Sequence, residues 1–319
     1  MKKQLSSEEL QMRDNILELA LSGEKYNEEL AYQLLLSVNL NVEDLFDNND
    51  TLCEFANKYL KSYHSDIWVP KFYIDKNTGY RTLDYSYSDL TPKNEYPFIR
   101  PLVQQLMTHL YGTYAQEQPA IVYECPHLKS LHIDVDEFVF EEFPYEILDI
   151  QQLENLYLKF YTVANVPAQI SKLKNLKSLG VVTSYIFNIP PSIRELSQLE
   201  HITIQTSRSR PKDTEIERYR QNFYTSLCNL MLCPKLKSLE LTIADGINNI
   251  NCIGNIEKLE KLSLNISVNL IETLPDILIK LKRLEDVEIK LFNKSMPVNV
   301  QAFEKAINIL KRQYNFSCI

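Results

Sequence analysis

Apolar residues alternate with polar ones in seven short stretches between residues 128 and 292. In each stretch two apolar side chains stand two positions apart, as Leu156 and Leu158 do. Alternation with a period of two is typical of a strand that buries one face. The pattern therefore predicts seven strands, at residues 130–135, 155–160, 178–182, 201–206, 238–243, 261–266 and 286–291.

The seven stretches recur at a nearly fixed interval. Their leading leucines stand at positions 128, 153, 176, 199, 236, 259 and 284, so that five of the six steps are 23 or 25 residues. The remaining step, 37 residues after position 199, indicates an insertion. A fixed period in the twenties is typical of a solenoid, in which each repeat buries its apolar face against its neighbours. We expect about seven repeats over residues 121–295, with their strands in one parallel sheet in chain order.

The centre of the array, LENLYLKFYTVANVPAQISK followed by LKNLKSLGVVTSYIFNIPPSIRE, resembles the 23-residue class of the leucine-rich-repeat family, of the bacterial type. Its leucines match the family pattern L-x-x-L-x-L, and the Val-Pro at 166–167 and Ile-Pro at 189–190 match its Leu-Pro. The resemblance implies an α/β fold, a right-handed leucine-rich-repeat solenoid whose parallel strands line a concave sheet. The sequence departs from the family where an asparagine bonds the turn of the adjacent repeat, which implies a less regular ladder.

Residues 1–120 lack the repeat, and we expect an N-terminal helical region with a β-hairpin. Ser6 or Ser7, followed by Glu8 and Glu9, predicts a helix start. Gly23 predicts the end of that helix, and Asn27 predicts the cap of a second helix. A third helix is expected through TLCEFANKYLKSY, where apolar residues recur at helical spacing. Because stacked repeats expose their first apolar layer unless something covers it, we expect this region to cap the array.

Two further segments of the flanks have a definite pattern. WVPKFYI and YRTLDYSYS, joined by DKNTG, predict a β-hairpin in which Gly79 supplies a positive φ. Asp75 and Asn77 faintly resemble a calcium loop, but the downstream ligands are missing, so a turn is favoured. FIRPLVQQLMTHLYG is expected to be a helix. The amphipathic run Gln301 to Tyr314 predicts a C-terminal capping helix within residues 296–319.

Composition narrows the class of protein. A formal net charge of −8 argues against nonspecific binding to nucleic acid or to an anionic membrane. The chain has no run of about 18 apolar residues, so we expect no membrane span. Polar residues follow the two N-terminal lysines where a signal peptide would be apolar, so we expect a cytoplasmic location.

Candidate chemistry is sparse along the chain. None of the six glycines forms a phosphate-binding loop, and no catalytic signature surrounds a serine or cysteine. His132 and His201 lie three predicted strands apart, about 14 Å, which is too far to share a metal. Cys125 and Cys233 occupy equivalent positions in CPHLKSL and CPKLKSL, so we expect buried, reduced thiols there. We therefore expect no enzyme activity, no cofactor and no metal site.

The remaining candidate for function is the surface of the repeats. The third, fifth and seventh positions of each repeat should point away from the core onto the concave sheet, where this fold usually binds its partners. Tyr157 is the best anchor, because Gly180 beside it is expected to leave room for a partner side chain. The predicted binding residues are His132, Asp134, Tyr157, Lys159, Thr203, Gln205, Glu240, Thr242, Ser263 and Glu288.

The insertion offers a second surface. Its first part contains a secondary basic loop with Arg208, Arg210 and Lys212. Its second part is expected to be a helix whose apolar stripe packs on the repeats, with the basic turn solvated. The stripe residues are Ile216, Tyr219, Phe223 and Leu227.

The sequence thus favours a non-catalytic protein that binds an unknown protein partner through its concave sheet. One alternative is a bacterial effector or toxin-linked module whose N-terminal region acts on a host component. Another is a structural assembly scaffold. An enzyme should show converging titratable groups in a pocket of the N-terminal region, and a scaffold should self-associate.

Overall fold

The computed structural model describes residues 5–63, 70–86, 96–111, 125–136, 143–160, 165–183, 188–206, 216–243 and 246–292, and five residues between 301 and 309. The chain divides into two compact units, Met1–Asp134 and Val135–Ile319. Each unit contains buried apolar residues of its own, and each is described by itself.

Three α-helices open the N-terminal unit: α1 (Ser7–Ala20), α2 (Lys25–Ser37) and α3 (Asn49–Tyr63). Helix α1 begins as predicted, because Ser6 Oγ accepts the Glu9 N–H at 3.2 Å and the Glu9 carboxylate accepts the Ser6 N–H at 2.8 Å. The predicted cap at Asn27 is wrong. Gly23, with a φ of 76°, completes the turn after α1, and the chain is helical again from Lys25 onward.

Helix α3 buries the predicted apolar stripe against an aromatic cluster. The rings of Phe55 and Tyr59 stack with centroids 5.9 Å apart, and the Phe98 ring meets both edge-on. Such edge-to-face contacts add to the energy of burial. The buried residues of the stripe are Leu52, Phe55, Ala56, Tyr59 and Leu60.

The predicted hairpin is present as β1 (Lys71–Ile74) and β2 (Arg81–Ser86), which pair antiparallel. Gly79 has a φ of 70°, as its turn requires. The Asp75 carboxylate accepts the N–H groups of Thr78 at 2.7 Å and Asn77 at 2.9 Å. These hydrogen bonds, led by the one from the Thr78 backbone, lower the pKa of Asp75. The carboxylate is therefore part of the turn, as the sequence favoured.

A side chain of α3 satisfies the backbone of strand β1. Asn57 Nδ2 donates to the Phe72 carbonyl at 2.8 Å, and the Phe72 N–H donates to Asn57 Oδ1 at 3.0 Å. The amide of Asn57 therefore takes the place that a neighbouring strand would have. An exposed strand edge invites pairing with other chains, so this contact protects β1.

The predicted helix over FIRPLVQQLMTHLYG is wrong. A short 3₁₀ turn, Arg100–Leu102, leads instead into β3 (Gln105–Tyr111). Strand β3 pairs parallel with β2, with Leu106 opposite Leu83. Both leucines are fully buried, so the pairing and the core contact outweigh the helical propensity of the segment. Strand β4 (Ser130–Asp136) follows, and its Ser130 N–H donates to the Gln104 carbonyl at 3.0 Å.

Six parallel strands in chain order form the sheet of the C-terminal unit. They are β5 (Asn155–Phe160), β6 (Ser178–Thr183), β7 (His201–Thr206), β8 (Ser238–Thr242), β9 (Lys261–Ser267) and β10 (Asp286–Phe292). Together with β4 they match the seven predicted strands to within one or two residues. The predicted inner positions are buried in every one, as Leu156, Leu179 and Leu262 illustrate. The alternation in the sequence therefore assigned the faces of the strands correctly.

Short helical segments connect these strands on the other side of the core. The 3₁₀ helices are Tyr145–Asp149, Ala168–Lys172, Pro191–Glu195, Asn251–Asn255 and Val268–Thr273. The first three follow Pro144, Pro167 and Pro190, whose fixed φ suits the entry to a helical turn. The register gives the repeat, because Leu156 pairs with Leu179 and Leu179 with Ile202, 23 residues apart each time.

The insertion places helix α4 (Ile216–Leu230) between β7 and β8, and the last connection contains a short helix, α5 (Leu274–Leu278). All four residues of the predicted stripe of α4 are buried. Two of its polar residues bind a neighbouring turn: the Ile189 N–H donates to Ser226 Oγ at 2.8 Å, and Asn229 Nδ2 donates to the Ile189 carbonyl at 2.7 Å. One repeat earlier, the Val166 N–H donates to the Asn188 carbonyl, so α4 side chains replace a backbone partner here.

Five residues of the C-terminal segment have helical conformation, which agrees with the predicted helix at those positions. They are Gln301, Glu304, Lys305, Asn308 and Ile309. The rest of residues 296–319 lies outside the described residues, and a capping role for this segment stays a prediction.

Candidate functional site

The outward-pointing side chains of β5–β10 form a surface that we call the open sheet face. Strand register brings the fifth repeat positions into one row and the seventh positions into the next. The first row is Tyr157, Gly180, Thr203, Glu240, Ser263 and Glu288. The second row is Lys159, Val182, Gln205, Thr242, Asn265 and Lys290. The eight predicted binding residues of this unit thus stand in two adjacent rows.

The Cδ2 edge of the Tyr157 ring lies against Gly180. A Cβ atom built on Gly180 would lie 2.3 Å from Tyr157 Cδ2 and 3.1 Å from Cε2, far inside van der Waals contact. The expected gap beside Tyr157 is therefore wrong, because the ring itself fills the space that the glycine leaves. The ring remains half-exposed, so its outer surface faces solvent on the open sheet face. This arrangement fixes an aromatic side chain in one orientation against the sheet.

Glu240 is the exposed carboxylate near the middle of the first row. Thr203 Oγ1, directly opposite on β7, donates to one of its oxygens at 3.4 Å. Gln205 Nε2 donates to the other oxygen at 3.1 Å. Two donors on one neighbouring strand therefore hold the carboxylate in a defined orientation, which lowers the entropy that a partner must remove on binding.

Glu288, two strands further on, is also held by two donors, one on its own strand and one on the neighbouring strand. Lys290 Nζ lies 2.8 Å from one of its carboxylate oxygens, and Ser263 Oγ donates to the other at 3.1 Å. The hydrogen bond from Lys290, and then that from Ser263, lowers the pKa of Glu288. The carboxylate is therefore ionised and oriented across the neutral pH range.

The remaining predicted site residues lie elsewhere in the chain. His132 and Asp134 are half-buried residues of β4, in the N-terminal unit. Arg208, Arg210 and Lys212 of the secondary basic loop lie outside the described residues. The structure thus brings eight of the predicted binding residues together on the open sheet face.

A row of charges that sequence reasoning missed borders this face. It occupies the second repeat position, at the start of each strand, where Glu154 contacts Lys177 at 2.6 Å and Glu200 contacts Lys237 at 3.2 Å. The signal was present in the sequence, because basic and acidic residues alternate at that position from Lys129 to Glu260. Partly exposed pairs of this kind contribute little stability, and their regular spacing favours correct strand register.

One of the two predicted core cysteines, Cys233, lies in the C-terminal unit. Cys233 is buried, and burial raises its pKa to about 12. Burial also raises the pKa of Cys252, whose thiol contacts that of Cys228 on α4. In the N-terminal unit Cys125 is buried and not part of a disulfide, so both predicted core cysteines are confirmed as buried thiols.

Two other kinds of feature, a metal site and a membrane-crossing helix, are absent from the described part of the chain. No group of three or more histidine, cysteine or acidic residues is placed to hold a metal ion. Of the helices in this part, none combines the length and the apolar composition that a membrane-crossing helix needs.

No protein-family model and no curated protein matches the chain. Among solved structures, it is similar to an internalin (inlF) of Listeria monocytogenes, with a TM-score of 0.35 and 14% identity over 60% of this chain and 49% of that one. It is also similar to a leucine-rich-repeat protein of Leptospira interrogans, with a TM-score of 0.35 and 20% identity over 70% of this chain and 62% of that one. For internalin C2 of Listeria monocytogenes the TM-score is 0.39, with 14% identity over 69% and 82%.

The chain spans about half of the first of these proteins and less than two thirds of the second. At such TM-scores the similarity assigns neither a family nor a partner to the chain.

Proposed function

We propose that this protein binds another protein through its open sheet face and catalyses no reaction. The observation that carries the proposal is the row of pre-oriented side chains: the Tyr157 ring seated on Gly180, and the Glu240 and Glu288 carboxylates held by neighbouring donors. Aromatic side chains of fixed orientation supply contact area at low entropic cost. Oriented carboxylates supply direction and specificity.

We further propose that the chain is a leucine-rich-repeat protein of the 23-residue class, with a right-handed solenoid over residues 121–295. Residues 1–120 would cap one end and residues 296–319 the other. Support comes from the leucine spacing and from strand pairs that are 23 residues apart in the register. In solenoids the concave sheet is an extended surface that is available for binding, which agrees with the site proposed here.

Site-specific photo-crosslinking in the cells that express the protein tests the function. A photo-reactive residue at Thr203 lies on the open sheet face, and one at Gln169 is exposed on a 3₁₀ helix away from it. We expect a discrete crosslinked protein from the Thr203 position, absent from the Gln169 control and lost when Glu240→Arg is added. The proposal would be contradicted by crosslinks from Gln169 alone. It would also be contradicted by crosslinks from Thr203 that persist when Glu240→Arg is added.

Once the partner is identified, measuring its affinity for variants of this protein tests which residues contribute to binding. Tyr157→Ala should weaken binding by about 1 kcal/mol or more, about fivefold, while the protein stays folded. The comparison is a double alanine variant at Arg208 and Arg210 in the basic loop. Full affinity in Tyr157→Ala and loss in the double variant would move the site from the sheet to the insertion.

A further inference from the structure

Helix α2 exposes large apolar side chains to solvent and buries a glutamate, which is unusual for a surface helix. Its buried residues are Glu28, Ala31 and Leu35. Its solvent side instead has large apolar side chains: Tyr26 is 78% exposed, Leu36 is 56% exposed and Leu30 is 40% exposed. We call these three residues the α2 outer face. A surface helix ordinarily turns such residues inward, and a local departure from that rule is expected where the surface itself has a function.

The segment that contains this face has an excess of negative charge. Residues 5–48 contain ten acidic side chains and two basic ones, Arg13 and Lys25, so their formal charge of −8 equals that of the whole chain. Arg13 already contacts the carboxylates of Asp14 at 3.1 Å and Asp47 at 3.4 Å. The rest of the chain is neutral by the same count. This excess of negative charge favours the approach of a basic partner.

Carboxylates stand directly beside the apolar residues. Glu24 precedes the first turn of α2, and Glu29 lies on the same side of the helix as Tyr26 and Leu36. Glu24 and Glu29 are both exposed. From Tyr26 to Leu36 the helix rises about 15 Å, or about three turns. That length matches the span of apolar anchors that an amphipathic partner helix presents.

We propose that the α2 outer face is a docking surface for a basic amphipathic helix of a partner protein. The apolar stripe of such a helix would cover Tyr26, Leu30 and Leu36, and lysines or arginines beside the stripe would meet Glu24 and Glu29. Charge complementarity selects this occupant, since an anionic membrane surface would be repelled by the same carboxylates. A second copy of this chain would bring an equally acidic surface. The proposal is independent of the open sheet face.

The test uses the full-length protein and a labelled synthetic helix of about 14 residues, with leucines at helical spacing and lysines elsewhere. A peptide of identical composition but scrambled order keeps the charge and loses the apolar stripe. The variant Tyr26→Ser/Leu30→Ser/Leu36→Ser removes the α2 outer face. A matched control, Leu232→Ser/Ile279→Ser, removes exposed apolar side chains of the other unit. Fluorescence anisotropy reports each affinity, and circular dichroism checks that every variant is folded.

We expect the designed helix to bind wild type and the control variant alike. Binding should fall about tenfold or more in the triple variant and with the scrambled peptide. Charge reversal by Glu29→Lys, made alone in wild type, should weaken binding of the designed helix at low salt. Equal binding of both peptides would show charge attraction alone and overturn the proposal. So would unchanged binding by the triple variant.

Two other occupants would also overturn it. Sedimentation that shows a dimer in wild type and a monomer in the triple variant would assign the face to a second copy of the chain. Association with vesicles of zwitterionic or anionic lipid that the triple variant loses would assign it to a membrane.

Discussion

The contact between Tyr157 and Gly180 can be measured by a double-mutant cycle. Gly180 has an ordinary strand conformation, since its φ is not in the left-handed region. An alanine there would normally stabilise the strand by about 0.5–1 kcal/mol. Here its Cβ would lie 2.3 Å from Tyr157 Cδ2 and 3.2 Å from Cγ, so the clash falls on the part of the ring nearest the backbone. A shift of a few tenths of an ångström cannot relieve it.

The ring must therefore leave its seat or adopt a strained rotamer. Holding a side chain about 30° from a rotamer costs about 0.5–1.5 kcal/mol. Moving the ring away from the sheet would expose about 40 Å² of apolar surface, which corresponds to about 1 kcal/mol. We therefore expect Gly180→Ala to destabilise the protein by up to about 1 kcal/mol in wild type. In the Tyr157→Ala background the same change should stabilise it by about 0.5 kcal/mol or more, which gives a coupling energy of about 1–1.5 kcal/mol.

Urea unfolding followed by far-ultraviolet circular dichroism measures all four corners of the cycle. Gly180→Ser in both backgrounds is a useful repeat, since it adds the same Cβ with a polar group. If Gly180→Ala stabilised the protein equally with and without the tyrosine, the ring would not lie on the glycine. The account of the site as a seated aromatic side chain would then be wrong.

Three further predictions follow from the packing. Leu179→Ala should lower the free energy of unfolding by about 2–5 kcal/mol. Thr203→Ala on the open sheet face should lower it by less than about 0.5 kcal/mol. Equal losses would mean that the strand faces are reversed. Asn57→Ala should cost about 2–3 kcal/mol by thermal unfolding, because two hydrogen bonds to Phe72 are lost at once; a change within error would remove the edge-protection role. Since burial raises the pKa of Cys233 to about 12 from 9.0, the folded state holds the thiol proton more tightly. Stability from this group is then complete below about pH 9 and falls above it by at most about 1.4 kcal/mol per pH unit. Cys233→Val should reduce that slope, and identical pH profiles would contradict the reasoning.

Much of the fold follows from local pattern. Alternation of apolar residues fixed the seven predicted strands and their buried faces, because a strand exposes every second side chain whatever it pairs with. The constant step between Leu156 and Leu179 fixed their neighbours, because equal repeats stack in equal positions. The start of α1 was predicted to within one residue, at Ser6 or Ser7, since a capping box is complete within four residues.

The sequence failed where a distant partner decides the outcome. Residues 105–111 have a helical composition, yet they form β3 because Leu83 of β2 offers a parallel neighbour and a buried position. The 23-residue step from Leu83 to Leu106 was the available signal, but it is hidden by the absence of the leucines that mark the other repeats.

The surface depended even more on tertiary structure. The sequence placed Tyr157 on the outer face of its strand and Gly180 beside it, and both positions follow from strand periodicity alone. Only the packed side chain showed that the ring occupies the glycine's space, because the rotamer depends on the neighbouring strand. Helix α2 likewise depends on tertiary structure. The spacing of apolar residues predicts that a helix forms there, but the segments that pack against it determine which side is buried. Its composition allowed either choice, and tertiary contacts turned Glu28 inward and Tyr26 toward solvent.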